Sequence, residues 1–445
     1  PSLRKVRLRR TPPRPEACFF MTNPSRDGVS PEEWSSQRWE TFQALLQRVR
    51  ETNAFQSACF PGLADCDQWS GFDEFVENCP FTGKNDLALD RQQNPPYGTN
   101  LTFPVEEYSC FHQTSGTMGE PMAWLDTEED WNWMLGNWDR VLEGAGVQSG
   151  ARCFFAFSFG PFLGFWTAYD AARKRGCLCI PGGGQGSEQR LHSILEHDVE
   201  YLFCTPTYAL RLPEVAKQAG IDLRGHALRS IIVAGETGGS VPSFRRRVSE
   251  AWGKDLRVYD HYGMTEVGPV AFETPGGKGG LRVILESYFA EVVDPETKAP
   301  SSTGEGELVL TTLGRTGCPL FRYRTGDLVR AISQTDPDGF PALDLKDGIL
   351  GRSDDMVVVR GVNVYPSSVD AIVRGFEEVM EYQVIHRKKG EMSEISLQVE
   401  APESVAQALE AALKEAFSLR IPVGQSEPNS LPRFEMKARR WLTEE

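Results

Sequence analysis

Short apolar runs alternate with segments of helical periodicity between residues 151 and 259, and this pattern constrains the fold of the chain most strongly. Such an alternation is typical of an α/β protein in which helices cover a mostly parallel sheet. Ligands of open α/β sheets bind at the carboxyl ends of the strands. Here those ends are followed by loops at 182–186, 205–207, 235–237 and from 260 onward. The predicted strands are 153–159, 177–180, 201–205, 230–234 and 256–259.

The part of the chain before this region predicts helices. Ser30 and Glu33 flank Pro31 in the pattern of a capping box with proline at the first helical position. Residues 60–107 are broken by Pro, Gly and Asn, which predicts short helices and turns. Residues 1–29 start with a basic stretch that is followed by TPPRPE and not by an apolar core, so we expect a mobile arm and no secretory signal. The apolar stripe of the first helix is predicted to consist of Trp39, Phe42, Leu45, Leu46 and Val49.

Two further changes of pattern divide the rest of the chain. Residues 281–345 contain Val-rich segments separated by Gly, Pro and Asp turns, which indicates antiparallel strands. From about 356 onward, two strand and two helix patterns follow one another in a compact α+β unit. We therefore predict an α/β protein in two parts joined by a hinge. The large N-terminal domain, 1–353, holds mixed or parallel sheets and a β-rich subregion, and the small C-terminal α+β domain is 354–445.

Composition argues against several classes of protein. The 445 residues carry a formal net charge of −15, which disfavours a general nucleic-acid binder, although a local pocket can still hold an anion. No run of about 18 apolar residues is present, so we expect no membrane span. The ten cysteines form no CxxC pair, and none lies near a histidine at the spacing of zinc ligands. We expect them to be reduced and mostly buried, as in a cytoplasmic protein.

Residues 113–121 read QTSGTMGEP and have the composition of a phosphate-binding loop. Gly116 and Gly119 let the main chain approach a ligand closely. Thr114, Ser115 and Thr117 add hydroxyl donors to the backbone N–H groups that can surround an anion. No Lys-Ser or Lys-Thr follows the second glycine, so this is not the loop of the P-loop NTPases. Taken alone, such a segment is more often an ordinary surface loop, and other motifs must decide its interpretation.

Five motifs occur in the order used by the adenylate-forming acyl-CoA synthetase superfamily, and the chain most resembles the phenylacetate-CoA ligase branch. QTSGTMGEP resembles the phosphate loop, GET at 235–237 the adenine loop, and YGMTE at 262–266 the nucleotide and magnesium motif. YRTGD at 323–327 resembles the ribose motif, and GRSDDMVVVRGVNVYP at 351–366 the hinge motif. The resemblance covers about residues 30–440. It implies a ligase that activates a carboxylic acid with ATP to an acyl-adenylate and transfers the acyl group to CoA.

The resemblance assigns roles to individual residues of the nucleotide site. Glu266 would supply an oxygen ligand for Mg²⁺, and Thr265 a hydroxyl for the ATP phosphates. Tyr262 matches the aromatic residue that stacks on adenine, while Asp327 would accept hydrogen bonds from the ribose hydroxyls beside Arg352. The other residues implied in ATP and AMP binding are Thr114, Ser115, Gly116, Thr117, Gly119, Gly235, Glu236, Thr237, Asp260, His261, Gly263 and Met264.

The C-terminal segment LPRFEMKARRW resembles the catalytic-lysine segment of the family and places Lys437 at the matching position. A lysine there would bind the carboxylate and the α-phosphate and stabilise the charge that develops as pyrophosphate leaves. In the family, the small domain then rotates about a hinge residue, here Asp354, and presents its other face for thioester formation. The CoA-side candidates on that face are Arg360, Gly361, Asn363 and Tyr365.

Two departures from the family pattern concern the ligands. The phosphate loop carries Met118 and Glu120 where the family has Thr and Lys, and an anionic side chain beside a polyphosphate puts the affinity for ATP in question. Some relatives also carry a Cys/His cluster after the YGMTE motif, whereas this chain reads FETPGGKGGL there. We therefore expect ATP, Mg²⁺ and CoA as ligands and no structural zinc.

Several alternatives stay open at the level of sequence. The acceptor is either free CoA or the phosphopantetheine of an acyl carrier protein. A nucleotide-binding homologue that has lost catalysis is a further alternative, motivated by Glu120, although the presence of Lys437 and Asp327 speaks against it. The acid cannot be identified from the sequence: the resemblance and the Phe-rich segment 154–166 favour an aryl or arylacetic acid, while a small aliphatic or hydroxy acid stays open. Relatives are often dimers, so a homodimer is an additional hypothesis.

Overall fold

The computed structural model describes residues 26–114, 121–253, 256–275, 279–353, 355–360, 362–389, 392–434 and 438–444. The predicted arm therefore lies almost wholly outside the described residues. So do several of the predicted site residues, namely Ser115, Gly116, Thr117, Met118, Gly119, Glu120, Asp354, Gly361 and Lys437.

Helix α1 (Pro31–Thr52) begins at the predicted capping box. The Glu33 N–H donates to Ser30 Oγ (3.2 Å), and the Ser30 N–H donates to Glu33 Oε2 (2.8 Å). Its apolar stripe packs against Leu313 and Phe321, which ties the helix to the β-rich part of the chain. Helix α2 (Ala54–Cys59) follows, and the short helices predicted for residues 60–107 are a 3₁₀ helix (Pro61–Gln68), α3 (Phe72–Asn78) and α4 (Lys84–Gln93).

A hairpin and a helix precede the central sheet. Strands β1 (Tyr108–Gln113) and β2 (Ala123–Thr127) pair antiparallel on either side of the predicted phosphate loop. Helix α5 (Glu128–Gly144) follows directly, with Thr127 as its N-cap. This arrangement fixes both ends of the loop to one short ribbon.

The predicted strand–helix alternation is confirmed between residues 152 and 264. Five strands pair parallel to one another in the order β4-β3-β5-β6-β7. The strand predicted at 153–159 ends at Phe155, because the chain turns there and the Phe157 N–H donates to the Phe155 carbonyl (3.1 Å). The elements are β3 (Arg152–Phe155), α6 (Gly164–Lys174), β4 (Leu178–Pro181), α7 (Ser187–Glu196), β5 (Tyr201–Cys204), α8 (Pro206–Ala219), β6 (Ser230–Val233), α9 (Pro242–Trp252) and β7 (Arg257–Met264).

The predicted β-rich region continues the same sheet. Strand β7 pairs parallel with β6 on one side and antiparallel with the next strand on the other, so the sheet changes from parallel to antiparallel at β7. In the described residues the mixed sheet has eleven strands, in the order β10-β11-β12-β13-β9-β8-β7-β6-β5-β3-β4. The added strands are β8 (Gly268–Phe272), β9 (Leu281–Val283), β10 (Tyr288–Val293), β11 (Glu305–Thr312), β12 (Tyr323–Thr335) and β13 (Pro341–Arg352).

The C-terminal α+β unit has a hydrophobic core of its own, drawn from residues 357–441. A four-stranded sheet in the order β18-β17-β16-β19 packs against its helices. The strands β15, β16, β18 and β19, which are short or polar, were not predicted from the sequence. The elements are β14 (Val357–Val359), β15 (Val362–Val364), α10 (Pro366–Val373), β16 (Tyr382–Lys389), β17 (Met392–Val399), α11 (Glu403–Phe417), β18 (Val423–Gln425) and β19 (Trp441–Glu444).

Two properties predicted from composition have structural counterparts. Within the described ranges, no helix combines the length and the apolar composition needed to cross a membrane. The nine cysteines in the described part of the chain are free thiols, and five of them are buried.

Candidate active site

Thr114 closes the neck of the predicted phosphate loop. Its N–H donates to the Met122 carbonyl (3.0 Å), and its Oγ1 accepts a hydrogen bond from the Met122 N–H (3.0 Å). One residue earlier, the Gln113 N–H donates to the Pro161 carbonyl (2.7 Å). The hydroxyl oxygen of Thr114 therefore holds the base of the loop, and phosphate contacts by the loop itself remain a prediction.

A carboxylate clamp brings together three of the predicted nucleotide-binding residues. Tyr262 Oη donates to Asp327 Oδ2 (2.6 Å), and Arg352 Nη1 lies 3.3 Å from Asp327 Oδ1. Asp327 and Arg352 face each other across β12 and β13, and Tyr262 enters from β7. Burial, followed by the negative charge of Asp327, raises the pKa of Tyr262 well above its usual value, so its hydroxyl stays a donor. We name Tyr262, Asp327 and Arg352 the ribose clamp, after the ribose contact that the resemblance predicts for Asp327.

Glu266 has the properties of a ligand for a hard cation. The residue is only 6% exposed, and its carboxylate makes no hydrogen bond or ion pair with another described residue. A carboxylate at so buried a position is stabilised when a cation or a donor meets it. Carboxylate oxygen is also the ligand that Mg²⁺ prefers. The donor chemistry at this position therefore fits the predicted metal.

Arg315 supports Thr265 and Glu266 from behind and was missed by the sequence reading. The side chain is fully buried, and its Nη1 donates to the carbonyls of Thr265 (3.1 Å) and Glu266 (2.5 Å). The same guanidinium pairs with Asp126 through Nε (2.8 Å) and Nη2 (2.6 Å). Burial alone would lower the pKa of Arg315, but Asp126 and Asp130 raise it overall, so the cation is retained. No local pattern in the sequence marks this residue.

Asp130 fixes the turn that carries Arg315. Its Oδ1 accepts from the backbone N–H groups of Thr316 (2.6 Å) and Gly317 (3.1 Å). Its Oδ2 accepts from the hydroxyl of Thr127 (2.8 Å), at the start of α5. The turn at 315–317 is therefore anchored to the hairpin and helix beside the phosphate loop.

Asp260 and His261 use their side chains inside the protein. Asp260 Oδ2 accepts from Ser240 Oγ (2.6 Å), and its Oδ1 accepts from the His261 N–H (3.0 Å). The His261 ring contacts the Ala271 carbonyl through Nδ1 (2.9 Å) and packs on Trp138, with ring centroids 4.2 Å apart. Burial raises the pKa of Asp260 to about 6 and lowers the pKa of His261 to about 4. A nucleotide contact from this pair would have to come from the backbone.

Glu236 joins the adenine loop to the C-terminal segment. Its Oε2 accepts from the Thr207 N–H (3.0 Å), in the first turn of α8, and its Oε1 accepts from the Ala438 N–H (2.6 Å). Gly235 precedes it with a φ of +88°, a left-handed conformation that favours glycine. The carboxylate of Glu236 is thus engaged by protein N–H groups, and one of them belongs to the residue after Lys437.

The remaining predicted residues lie on separate parts of the structure. Gly263 allows close approach of β8, because a Cβ at this position would lie 2.8 Å from the Gly268 carbonyl oxygen. Met264 Sδ lies 3.5 Å from Tyr262 Oη. On the small domain, Arg360 pairs with Glu394 (3.1 Å) at an exposed position. Two further predicted residues are Thr237 in the adenine loop and Tyr365 at the start of α10, and a third, Asn363 in β15, has a side chain outside the described part of the structure.

Removing the Arg315 cation should destabilise the large domain strongly. Arg315→Met leaves the Asp126 carboxylate buried without its partner, and we expect the free energy of unfolding to fall by about 3–5 kcal/mol. Urea unfolding measures this change. Arg330→Met, which removes an exposed ion pair with Glu305, is the matched control and should cost less than about 1 kcal/mol. Equal losses in the two variants would show that the Arg315 network is not a structural support.

Asp260 generates a prediction about pH. Its folded-state pKa of about 6 lies above the ordinary value of 3.8. The stability that it contributes is therefore fully present below about pH 4 and is lost as the pH rises through about 6. Relative to Asp260→Asn, the wild type should lose about 3 kcal/mol between pH 4 and pH 7. His261 titrates in the same window with the opposite sign, but it does so in both proteins. A difference that is independent of pH would contradict the prediction.

Comparison with known proteins identifies the family. The profile described as "AMP-binding enzyme" matches residues 83–314, and "AMP-binding enzyme C-terminal domain" matches residues 361–444. A phenylacetate-coenzyme A ligase from Pseudomonas putida is 33% identical over 331 residues, which cover 74% of this chain and 72% of the relative. The Escherichia coli (strain K12) phenylacetate-coenzyme A ligase is 31% identical, with 81% of this chain and 83% of the relative covered.

Solved structures agree with this assignment. 2-Hydroxyisobutyryl-CoA ligase in the postadenylation state, in complex with 2-HIB-AMP, matches with a TM-score of 0.86 at 26% identity and covers 94% of this chain and 90% of that one. In the thioesterification state, with 2-HIB-AMP and CoA, it matches with a TM-score of 0.70 at 27% identity, over 93% and 90% of the two chains. From the sequence matches, the ribose clamp and the two-part fold, the chain belongs to the AMP-binding enzyme family, the adenylate-forming superfamily that includes the phenylacetate-CoA ligases.

Proposed function

We propose that the chain is an AMP-forming acid–CoA ligase. In the first half-reaction a carboxylate attacks the α-phosphate of ATP, which gives an acyl-adenylate and releases pyrophosphate. In the second, the thiol of CoA attacks the acyl carbonyl carbon and AMP leaves. The observation that carries the proposal is the ribose clamp, which unites three segments distant in sequence around one carboxylate. The relatives named above, which are themselves acid–CoA ligases, support it.

The ribose clamp would bind ATP and the acyl-adenylate in the same place. A carboxylate can accept hydrogen bonds from two vicinal hydroxyls, and Asp327 is held rigidly for this by Tyr262 and Arg352. Because the nucleotide stays bound through both half-reactions, its α-phosphate remains next to the reacting carboxylate. This positioning supplies much of the rate enhancement expected for a transfer between two bound reactants.

We propose Glu266 as the protein ligand of the Mg²⁺ that accompanies ATP. The metal would neutralise charge on the phosphates as pyrophosphate departs. The chain's own contribution is to hold the Glu266 carboxylate in place, through the two carbonyl contacts that Arg315 makes at 265 and 266. The hydroxyl of Thr265 would add a donor to the same phosphates.

We propose that the C-terminal segment serves the first half-reaction. Ala438, the residue after Lys437, donates a hydrogen bond to Glu236, which holds this point of the segment against the adenine loop. We propose that Lys437 acts on the carboxylate and the α-phosphate during adenylation. Glu236 then acts as a positioning residue for that lysine. This role differs from the direct nucleotide contact predicted from the sequence, because both oxygens of Glu236 already accept hydrogen bonds from the protein.

The arrangement of the two parts of the chain supports the same assignment. The TM-score is 0.86 with the postadenylation structure and 0.70 with the thioesterification structure of one ligase. We propose that the described arrangement is that of adenylation, and that rotation about Asp354 gives the second one. The separate core formed by residues 357–441 supports a domain boundary there. In the second arrangement Arg360, Gly361, Asn363 and Tyr365 would face CoA.

The acid is proposed to be aromatic. Phe157 and Phe165 stack with centroids 3.8 Å apart, and Phe159 packs on Trp166 at 4.7 Å. This aromatic cluster lies against the glycine-rich loop, since a Cβ at Gly183 would lie 3.2 Å from the Phe159 ring. The same segment meets the phosphate-loop hairpin at Pro161. An aryl or arylacetic group beside the reacting carboxylate is therefore favoured over a small aliphatic one.

The acceptor is proposed to be free CoA. The curated relatives named above are coenzyme A ligases, which supports CoA over the phosphopantetheine of a carrier protein. Saturation of the rate by CoA with the pure protein would establish this. A requirement for an added carrier protein would instead favour the carrier-loading alternative.

Separate assays of the two half-reactions test the proposed roles of Lys437 and Glu236. We expect Lys437→Ala to slow adenylate formation by on the order of 10² to 10³, the usual loss when a group that stabilises a developing charge is removed. Glu236→Ala should slow the same step about tenfold, the equivalent of about 1.4 kcal/mol. Both variants should form thioester from supplied acyl-adenylate at nearly the wild-type rate.

The matched control for this experiment is Glu305→Ala. Glu305 forms an exposed ion pair with Arg330 (2.5 Å) on neighbouring strands of the large domain. It should change neither half-reaction by more than about twofold. Equal losses in both half-reactions for Lys437→Ala and Glu236→Ala would contradict the two-arrangement assignment.

A further inference from the structure

A polar cavity of about 50 Å³ lies between the large domain and the small domain, away from the ribose clamp. Helices α8 and α9 contribute one wall, and α10, β16 and the C-terminal segment contribute the other. Its lining is rich in arginine. The five arginines are Arg211, Arg247, Arg374, Arg433 and Arg440.

Four of these arginines are matched by carboxylates. Arg211 pairs with Glu214 (3.1 Å) and Arg440 pairs with Glu381 (2.6 Å). Arg374 pairs with Asp370, which also accepts a hydrogen bond from Tyr382 Oη (2.5 Å), and Arg433 pairs with Glu400 (2.6 Å). Each of these cations therefore has its countercharge inside the protein.

Arg247 is the exception among the cavity arginines. It makes no hydrogen bond or ion pair with any residue in the described part of the chain, and its guanidinium faces the cavity from α9. Burial lowers the pKa of Arg247 and the neighbouring Arg374 lowers it further, whereas Glu214 and Glu381 raise it. A half-buried guanidinium beside other cations is stabilised when an anion meets it. Among the described residues, the five cavity arginines are matched by four paired carboxylates, one fewer than the cations.

The size of the cavity limits what that anion can be. A volume of about 50 Å³ holds several waters, since one water needs about 10–15 Å³ of such space. It accommodates one tetrahedral group, so a larger ligand would place no more than such a group inside it. Arginine matches phosphate oxygens with paired N–H donors, so a phosphate-type oxyanion is favoured over chloride or a bulky carboxylate.

We propose that this cavity binds a single phosphate-type oxyanion at Arg247, and that the bound oxyanion bridges the two domains in the arrangement described here. Because its walls come from both domains, the site exists only while they are docked in this way. Binding therefore stabilises this arrangement by mass action and opposes the rotation that precedes thioester formation. The inference concerns a site separate from the active site, and it holds whether or not the proposed reaction is correct.

Titration of inorganic phosphate into the full-length protein tests the site. Calorimetry on the wild type should show a binding component that Arg247→Met lacks, and Arg247→Lys should weaken that component severalfold while keeping the charge. The matched control is Arg246→Met, which removes the same charge from the neighbouring position of α9, where Arg246 is exposed and pairs with Glu377. It should retain the component, because Arg246 does not line the cavity.

Hydrogen exchange measures the bridging directly. Phosphate should slow exchange of the amides of α10 in the wild type and in Arg246→Met, but not in Arg247→Met. A second set of titrations compares CoA with 3′-dephospho-CoA. A loss of CoA affinity that follows both the 3′-phosphate and Arg247 would identify CoA as the source of the phosphate group, and no such loss would identify free phosphate.

Two outcomes would overturn the proposal. If Arg246→Met and Arg247→Met bind phosphate with equal affinity, the two arginines contribute only to the overall positive charge of α9, and Arg247 forms no specific anion site. If all the variants bind phosphate as the wild type does, phosphate binds elsewhere, for example in the nucleotide site, and the cavity has no anion site. If Arg247→Met fails to fold, the phosphate affinity of Arg247→Lys provides the same test.

Discussion

The buried ion pair between Arg315 and Asp126 is the interaction on which the candidate active site depends. Neither side chain is exposed, and the guanidinium also holds the carbonyls of Thr265 and Glu266. A buried pair of this kind adds little net stability over apolar packing but is costly to break. Its effect here is to fix geometry. It joins the strand after the phosphate loop, the turn at 315–317 and the end of β7, so three segments reach one site in a defined register.

The small domain is held by a different kind of contact. Glu236 accepts one N–H from the start of α8 and one from Ala438, and paired charges line the cavity beside it. These contacts are few and polar, in contrast to the apolar clusters inside each domain. Interfaces of this type permit domain motion, because no large apolar area has to be exposed when they separate. A ligase that uses two arrangements of its domains in turn, as proposed above, needs an interface that can form and separate in each cycle.

Much of the fold and part of the site could be predicted from the sequence. The alternation of strand and helix patterns predicted β3 to β7, and the motifs predicted the three residues of the ribose clamp. Both kinds of signal are local in the sequence. Arg315 could not be found in this way, because its partner Asp126 lies 189 residues away and no periodicity links them. Glu236 was placed at the nucleotide, but its carboxylate is taken by protein N–H groups, one of them 202 residues away. Asp260 and His261 were predicted to lie in the loop after the strand 256–259, but β7 continues to Met264 and the side chains of both residues are buried.

The measurement that tests the central claim most directly is carboxylate-dependent exchange of labelled pyrophosphate into ATP, with Mg²⁺ present and CoA absent. It isolates the first half-reaction and assumes nothing about the acceptor. A panel of aryl, arylacetic and short aliphatic acids should give exchange with the aromatic members, and none without an acid. Absence of exchange with every acid, in protein that still binds ATP, would contradict adenylation and leave a nucleotide-binding homologue in which Glu120 has weakened the phosphate loop.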